Sequence, residues 1–379
     1  MVNQQRLPLP PFHERFPFRS RSFEGPLHTS PRFLPPFMPL ERACRKAGPS
    51  ALLLPCVCQR QAQVESKAMP SKKASQNHAS TPERPACQPV VAKNGVQWLA
   101  VPGWEKYPWL KAGFSTRKGG KSIVYAAPGA PAELNLGLTK EDSAEKVAAN
   151  RRLLAAAVSG RDKTPLVALQ QIHSNLCRII TAEDATHEPP FRADGLISNT
   201  PGLLLGIQTA DCIPVLVADR KKKVVAAFHA GWRGTVQRIV ELGVGRMMQE
   251  FASKPDDLLA AIGPGVGSCC YAVGEELLQE FTAQFSYAAE LFHEGNSEQA
   301  PPAPSLHLDL IEANRRQLLT AGLAPEAIQI VGGCTSCHTD LFYSYRSAKG
   351  VTGRMMAVIG VDLQGKEIPD SIRNADRVD

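Results

Sequence analysis

The prolines are distributed so unevenly that only one part of this chain can form regular secondary structure. Residues 1–95 contain 15 of the 31 prolines, and the apolar residues among them follow neither the two-residue period of strands nor the 3.6-residue period of helices. From about Val96, short apolar runs recur between Pro and Gly residues. This pattern predicts a disordered N-terminal tail over residues 1–95 and a folded domain over residues 96–379.

The net charge of +7 also belongs to the tail. Residues 1–95 contain 14 Lys and Arg residues, 5 Glu residues and no Asp, whereas the remaining residues contain 29 basic and 31 acidic side chains. The near-neutral domain argues against a nucleic-acid partner. The Arg-rich, acid-poor tail is typical of an organellar transit peptide, although a linker, or translation from Met69, explains it equally well. We expect a cytoplasmic protein, or a chloroplast or mitochondrial one if the tail is a transit peptide.

Two further features of the composition restrict the class of protein. No window approaches 18 consecutive apolar residues, so the sequence predicts no membrane span. Six of the 10 cysteines lie after residue 95, and no secretory signal peptide is recognisable. Such cysteines are expected to be reduced thiols, available to a metal or a catalytic site.

Hydrophobic periodicity predicts three helices in the domain. One begins near Asp142 and Ser143, a second covers residues 236–247, and a third covers residues 310–321 and ends at Gly322. Short apolar runs predict strands at 166–170, 177–181, 203–209, 213–218, 224–228, 258–262, 328–331 and 356–361. Together these elements predict one mixed α/β unit.

A predicted hairpin brings a cysteine near a histidine. Residues 203–234 form two apolar runs joined by the charged segment 219–223. If the loop is centred between residues 220 and 221, Cys212 lies directly opposite His229. Opposed residues of an antiparallel pair point to the same face, with Cβ atoms about 4.5 to 5.5 Å apart, so both could ligate one ion. The alternative is that Cys212 is a small buried side chain and His229 a hydrogen-bonded core histidine.

The ends of three predicted strands concentrate polar side chains, including His173, Asp211, Cys212, His229 and Arg233. Functional residues collect at such positions. Two histidines and one cysteine leave one tetrahedral position of Zn²⁺ open, which is the arrangement of a catalytic site. Asp211 is then a candidate catalytic acid or base, or a partner of a ligand. The planar guanidinium of Arg233 suits phosphate or carboxylate.

The same ligand set also suits copper. A blue-copper site needs a His or Met shortly after the cysteine, and a multicopper cluster needs several His-x-His pairs; the sequence has neither. Residues 334–338, CTSCH, match the short c-type haem attachment string. We prefer a packing or site-lining role for Cys334 and Cys337, with a redox or metal function as the alternative. Cys269 and Cys270, beside a glycine-rich turn, are expected to be structural.

Several ordered motifs resemble a known family. They are GFSTRKGG (113–120), ELNLGL (133–138), AANRRLL (148–154), LQQIHS (169–174), ADGLIS (193–198), TADCIPVL (209–216), HAGWRGT (229–235), IGPGVGSCCYAVGEE (262–276), LDLIEANRRQL (308–318) and CTSCHTDLFYSYR (334–346). Together they resemble the laccase-domain purine nucleoside phosphorylases, formerly named multicopper polyphenol oxidoreductases and also called peptidoglycan-editing factors. The resemblance covers residues 97–361.

The resemblance implies a fold, a cofactor and an activity. The implied fold is a single compact domain with a central mixed β-sheet flanked by helices, and the implied cofactor is zinc held by His173, Cys212 and His229. The implied reaction is phosphorolysis of adenosine, inosine and methylthioadenosine to free base and ribose 1-phosphate, with adenosine deamination as a side activity. Arg117, in the STR motif, and Arg233 are candidate contacts for phosphate or nucleoside.

Two other functions remain open at this stage. One is a copper-dependent polyphenol oxidoreductase, which the older family name suggests. The other is a non-enzymatic partner-binding domain that a metal merely stabilises. The sequence does not predict the oligomeric state.

Overall fold

The computed structural model describes residues 88–188, 190–295 and 306–362. Residues 1–87 of the predicted tail lie outside the described ranges, so the disorder of this segment stays a prediction. The first described strand, Val90–Val91, pairs with Gln97–Ala100, so regular structure begins slightly before the predicted boundary at residue 96. None of the helices in the described ranges has the length and apolar character needed to cross a membrane.

The described residues contain α1 Ala144–Ser159, α2 Trp232–Val236, α3 Ile239–Phe251, α4 Glu275–Gln284 and α5 Leu310–Thr320. The ends of α1 and α5 confirm the predicted capping signals. The side chain of Ser143 accepts a hydrogen bond from the backbone N–H of Lys146 at the start of α1. Gly322 adopts a left-handed conformation, with φ of 94°, just after α5. Helix α4 was not predicted.

The predicted helix over residues 236–247 is divided in two. Arg238 has a left-handed backbone, with φ of 62°, and separates α2 from α3. The buried side chain of Gln317 donates to the carbonyl oxygen of Thr235 (2.7 Å) and accepts from the backbone N–H of Glu241 (3.4 Å). These bonds satisfy backbone groups that a continuous helix would pair internally. Since the partner lies about 80 residues away, periodicity alone could not reveal the break.

The strands confirm all eight predicted segments, with ends shifted by up to two residues. The strands are β1 Val90–Val91, β2 Gln97–Ala100, β3 Leu110–Ser115, β4 Lys118–Ser122, β5 Leu166–Ala168, β6 Cys177–Ile179, β7 Gly195–Ser198, β8 Leu204–Thr209, β9 Ile213–Asp219, β10 Val225–Ala230, β11 Leu258–Ile262, β12 Ala272–Val273, β13 Phe292–Glu294, β14 Leu306–Leu308, β15 Ile328–Ile330 and β16 Met355–Val361.

The fold is mixed α/β, as predicted, but its main sheet is double. One six-stranded sheet has the order β1-β2-β3-β16-β8-β5, the other has the order β15-β11-β9-β10-β7-β6, and β12-β14-β13 form a small third sheet. Both large sheets are mixed, since β5 is parallel to β8 and β6 is parallel to β7. The central sheet implied by the family resemblance is therefore two sheets packed together.

Alternate residues of the central strands face different layers. Leu216 of β9 and Ile359 of β16 belong to one buried cluster between the two sheets. Val217, the next residue of β9, packs in a cluster with residues of α3 and α5, whereas Val358 of β16 packs in a cluster with residues of α1. The layers thus run from α1 through the two sheets to α3 and α5. Strands buried on both faces read as continuous apolar runs, so the sequence does not separate the two sheets.

The predicted hairpin of β9 and β10 is present, with a register two residues away from the predicted one. His229 pairs with Pro214 rather than with Cys212. The carboxylate of Asp219 accepts hydrogen bonds from the backbone N–H groups of Lys221 and Lys222, both at 2.8 Å, and the centre of the turn lies one residue later than predicted. Because side chains alternate with a period of two, this even shift keeps Cys212 and His229 on the same face.

Candidate metal centre and cavity

Three predicted ligands converge at one end of the second sheet. His173 lies on the loop after β5, Cys212 directly precedes β9, and His229 lies in β10. Their candidate ligand atoms all lie within 4.8 Å of one another, and Cys212 Sγ is 4.0 Å from His173 Nε2. Two imidazole nitrogens and one sulfur suit a borderline-soft metal ion such as zinc or copper. The structure therefore brings together the residues that sequence and family resemblance had grouped.

A buried carboxylate holds two of these ligands in place. Asp194, fully buried just before β7, accepts a hydrogen bond from His229 Nδ1 at 2.8 Å. The same carboxylate accepts hydrogen bonds from the backbone N–H groups of Ile172, His173 and Ser174, and from the Ser174 hydroxyl. A carboxylate behind a histidine fixes the tautomer and ring orientation of a metal ligand. Sequence reasoning missed Asp194, although it lies within the quoted ADGLIS motif.

Local backbone geometry completes the ligand cluster. His173 has a left-handed backbone, with φ of 58°, and the three consecutive N–H groups bound to Asp194 account for this uncommon conformation. Gly231, after β10, leaves space for the ligands. A Cβ atom at this position would lie 2.9 Å from Cys212 Sγ and 3.3 Å from His173 Cδ2. Any larger residue at position 231 would press on the ligands.

Charge coupling favours the thiolate form of Cys212. Burial alone raises the pKa of Cys212, but the positive charge of His229 and the contact with His173 lower it to about 6. Burial alone lowers the pKa of His229, but Cys212 and the hydrogen bond to Asp194 raise it to about 9. Burial raises the pKa of Asp194, but the bonds from His229 and Ser174 outweigh it and lower the pKa to about 2. The thiolate is the form of cysteine that binds metals.

The cluster lies in the wall of a basic cavity of about 1060 Å³. Five cations line it, namely Arg151, Arg233, Arg346, Lys349 and Arg354. Asp211 is the only carboxylate among the described lining residues. This excess of positive charge attracts anions, and the volume matches the upper range of small-molecule sites, about 300 to 1,000 Å³.

Two predicted site residues border this cavity in different ways. The guanidinium of exposed Arg233 stacks on the Trp232 ring, 4.3 Å from its centroid, and stays available to a ligand. Asp211 is fully engaged, because its carboxylate accepts hydrogen bonds from the Thr335 hydroxyl and the Arg346 backbone N–H, both at 2.6 Å. Asp211 thus ties the loop after β15 to the residue that precedes Cys212.

Arg117 does not line the cavity. Its guanidinium forms a 2.8 Å ion pair with Glu133, donates to the carbonyl oxygen of Thr339 and stacks over the Tyr343 ring at 4.6 Å. The structure therefore separates Arg117 from the other predicted site residues. The motif that contains Arg117 did not reveal its partners Glu133 and Thr339.

The aromatic residues named by the sequence motifs also separate into two groups. Tyr271 and Tyr345 line the cavity, and the guanidinium of Arg346 lies over the Tyr271 ring at 5.0 Å. Phe342 and Tyr343 are buried in the core between the sheets. Of these four residues, Tyr271 and Tyr345 are the pair that borders the cavity.

The fold and the ligand cluster define a laccase-domain protein. Residues 111–362 match the family model described as multi-copper polyphenol oxidoreductase laccase, and this chain belongs to that family.

Relatives within the family carry a different name. The chain is 35% identical over 257 residues to purine nucleoside phosphorylase YlmD of Bacillus subtilis, an alignment covering 66% of this chain and 88% of the relative. It is 40% identical over 249 residues to a purine nucleoside phosphorylase of Deinococcus radiodurans, covering 65% and 88%. The crystal structure of Bacillus licheniformis YfiH is similar, with a TM-score of 0.62, 31% identity, and coverage of 72% of this chain and 99% of that chain.

Proposed function

We propose that this protein is a zinc-dependent purine nucleoside phosphorylase that cleaves adenosine, inosine and methylthioadenosine. The products are the free base and ribose 1-phosphate, and deamination of adenosine is a side activity. The observation that carries the proposal is an open set of three ligands in the wall of a basic cavity of about 1060 Å³. Relatives named purine nucleoside phosphorylase support the reaction class.

The cavity has side chains suited to both substrates. Arg233 and Arg346 provide guanidinium groups, which bind phosphate through paired, charge-assisted hydrogen bonds. Tyr271 and Tyr345 provide aromatic faces on which a purine can stack. We assign Arg233 to phosphate binding and the two tyrosines to the base.

In the proposed reaction, a phosphate oxygen forms a bond to the anomeric carbon of the ribose. The bond from that carbon to the purine nitrogen breaks, and the leaving purine takes up a proton. A bound zinc ion supplies a Lewis acid that stabilises developing negative charge. Asp194 keeps His229 and the His173 loop in position, and Asp211 positions the loop that carries Arg346. We therefore treat Asp211 as a positioning residue rather than as the acid or base.

The name of the matching family raises copper oxidation as a second candidate. Within the described ranges, the two groups of at least three potential ligands are His173 with Cys212 and His229, and a group of four cysteines. Neither group resembles the histidine-rich cluster that a multicopper oxidase uses. Phenol oxidation is consequently an outcome to exclude by assay.

The proposal is tested on full-length protein with its metals quantified. Adenosine is supplied with and without phosphate, and ribose 1-phosphate, adenine and inosine are measured together. We expect adenine release that depends on phosphate, matched by ribose 1-phosphate. His173→Ala, Cys212→Ala and His229→Ala should abolish it. Exposed His293 and buried Cys177 lie outside the cavity, so His293→Ala and Cys177→Ala are matched controls.

Other product patterns would contradict the proposal. Adenine without ribose 1-phosphate would indicate a hydrolase, and inosine alone would indicate a deaminase. Oxidation of a phenol with copper bound would restore the oxidoreductase candidate. A metal-loaded protein with none of these activities would favour a partner-binding domain.

We also propose that the N-terminal segment contains a transit peptide that ends before β1, since Val90 and Val91 pair with β2. The composition of residues 1–95 supports this, with 14 basic residues, 5 Glu residues and no Asp. Mass analysis of the mature protein from its native source should find an N-terminus near the start of the domain. A mature chain that retains the whole segment would refute the transit peptide.

A further inference from the structure

Four cysteines with no part in the proposed reaction converge in space. Cys269 and Cys270 lie on the turn between β11 and β12, and Cys334 and Cys337 lie on the loop after β15. Their four Sγ atoms all lie within 4.8 Å of one another. All four are free thiols. Two pairs of cysteines from distant parts of the sequence thus form one cluster, which we call the four-thiol cluster.

The distances match a single tetrahedral ion. Cys337 Sγ is 3.5 Å from Cys269 Sγ and 3.4 Å from Cys270 Sγ. Four sulfurs at 2.3 Å around a tetrahedral zinc would be about 3.8 Å apart. A disulfide would bring two sulfurs to about 2.0 Å, whereas Cys337 Sγ lies at nearly equal, longer distances from two other sulfurs. The convergence of all four on one point favours a metal over a redox pair.

The backbone around the cluster is held independently of any ion. The N–H group of Gly267 donates to Cys334 Sγ at 3.2 Å, as expected for a sulfur that carries negative charge. Thr335 donates its backbone N–H to the carbonyl oxygen of Gly265 at 2.9 Å. The two loops are thus held side by side. Exposed Cys269 and Cys337 give an ion access from solvent.

We propose that Cys269, Cys270, Cys334 and Cys337 bind a second metal ion, a zinc ion in a closed site of four thiolates. Binding removes one proton from each thiol, and no position stays open for a substrate. Such closed sites are structural. Spacing supports one half of the site, since Cys334 and Cys337 are separated by two residues, as in many structural zinc sites.

The second ion would hold in position two loops that line the cavity. Tyr271 directly follows Cys270, and the loop that begins with Cys334 continues to Tyr345 and Arg346, all three of which line the cavity. We therefore infer that the four-thiol cluster positions these side chains without touching the substrate. Misplacement of cavity residues by about 1 Å can lower rates up to about a hundredfold.

The first test needs no substitution. Full-length protein, purified under reducing conditions without chelators, is analysed for metal and for alkylation by iodoacetamide. We expect two zinc ions per chain. The peptides containing Cys269 with Cys270, and Cys334 with Cys337, should resist alkylation until a strong chelator is added. Alkylation of all four thiols in zinc-loaded protein would overturn the proposal, as would a single zinc ion per chain that Cys212→Ala removes.

Variants then assign the two ions. Cys334→Ser with Cys337→Ser should lower zinc from two ions to one per chain, and Cys212→Ala should do the same by removing the other ion. In the Cys212→Ala protein, X-ray absorption at the zinc edge should find four sulfurs at about 2.3 Å. Nitrogen or oxygen ligands in that spectrum would contradict the four-thiol site.

Two control variants test whether other cysteines account for the bound zinc. Cys177→Ala removes a buried thiol from outside both clusters and should leave two ions. Cys56→Ser with Cys58→Ser removes a closely spaced pair from the N-terminal segment and should leave two ions as well. A loss of two mass units that reverses with reductant, in place of zinc, would show a disulfide and refute the metal. Because zinc is counted directly, these outcomes do not depend on the purine reaction.

Discussion

The two ligand clusters of this domain use the same kind of side chain in opposite ways. His173, Cys212 and His229 provide three candidate ligands in the wall of a large cavity, so a tetrahedral ion bound there would keep one position for another molecule. The four-thiol cluster provides four candidate ligands, which would fill a tetrahedral site without another molecule. The comparison teaches that ligand number and surroundings, rather than the presence of cysteine, separate a reactive site from a structural one.

The two clusters are also physically linked. Val266 donates its backbone N–H to the carbonyl oxygen of Asp211 at 2.8 Å, and the next residue, Gly267, donates to Cys334 Sγ. The carboxylate of Asp211 binds the hydroxyl of Thr335. A short run of hydrogen bonds therefore joins the residue before Cys212 to the loop of the second cluster. A substitution in one cluster can therefore be tested for its effect on zinc binding at the other.

The largest expected effect on the purine reaction is the loss of a candidate ligand at the cavity, compared with the loss of a cysteine from the four-thiol cluster. Cys212→Ala should lower kcat for ribose 1-phosphate formation by about a thousandfold or more, because a metal ion contributes several kcal/mol to transition-state stabilisation. Cys337→Ser should lower kcat by only about tenfold, since it disturbs positioning alone. Steady-state assays on metal-quantified protein measure both. Equal losses would abolish the distinction between the clusters.

A smaller effect is expected at Asp194, which is hydrogen-bonded to His229 and His173 and not to the four-thiol cluster. Asp194→Asn should weaken zinc binding at that site by about 10- to 100-fold, as replacement of a carboxylate behind a histidine does. Competition with a chromophoric chelator measures the affinity, and the zinc of the four-thiol cluster serves as the internal reference. Weakening of both sites to the same extent would indicate a general loss of structure.

The pKa of Asp194 predicts how acid destabilises the domain. The hydrogen bonds of Asp194 lower its pKa from 3.8 to about 2. Its ionised form therefore stabilises the folded state fully above about pH 4, and this stabilisation is lost as pH falls through about 2. The contribution to the free energy of unfolding is about 2 kcal/mol.

Urea unfolding of metal-free protein between pH 5 and pH 2 measures this contribution. The parent should lose more stability over that range than Asp194→Asn, which has no carboxylate to titrate at this position. Parallel losses in the two proteins would show that Asp194 is not a source of acid sensitivity.

The smallest effect concerns the two arginines that were predicted together. Arg233 borders the open site, so Arg233→Gln should raise the KM for phosphate about tenfold, as the loss of one charged hydrogen bond does. Arg117 is bound to Glu133 away from the cavity, so Arg117→Gln should lower the melting temperature and leave that KM unchanged. The reverse result would move phosphate binding to Arg117.

Much of the secondary structure was predictable because local signals decide it. The cap at Ser143, the stop at Gly322 and the eight apolar runs all appear at or near the predicted positions. Helix α4 and the break at Arg238 were not predictable. The break depends on a hydrogen-bonding partner, Gln317, from a distant helix.

The ligand cluster was predictable for a geometric reason. The predicted register was two residues away from the actual one, yet an even shift preserves the face on which Cys212 and His229 lie. Arg117 shows the converse, since a residue chosen from a motif is engaged elsewhere by Glu133 and Thr339. A motif identifies a side chain, but it does not show which neighbouring residues that side chain is bonded to.

The sequence by itself determined the mixed α/β class, the strands of the hairpin and the pairing of Cys212 with His229, because strand periodicity and turn position act over short distances. His173 joined them through the family resemblance and its position after a predicted strand. Only the tertiary structure decided that two sheets stack, that Asp194 holds the ligands, that cations surround the cavity, and that four cysteines from two loops meet. Each of these depends on contacts between segments far apart in sequence. Strands buried on both faces, and loops between them, carry no periodic signal of what lies opposite.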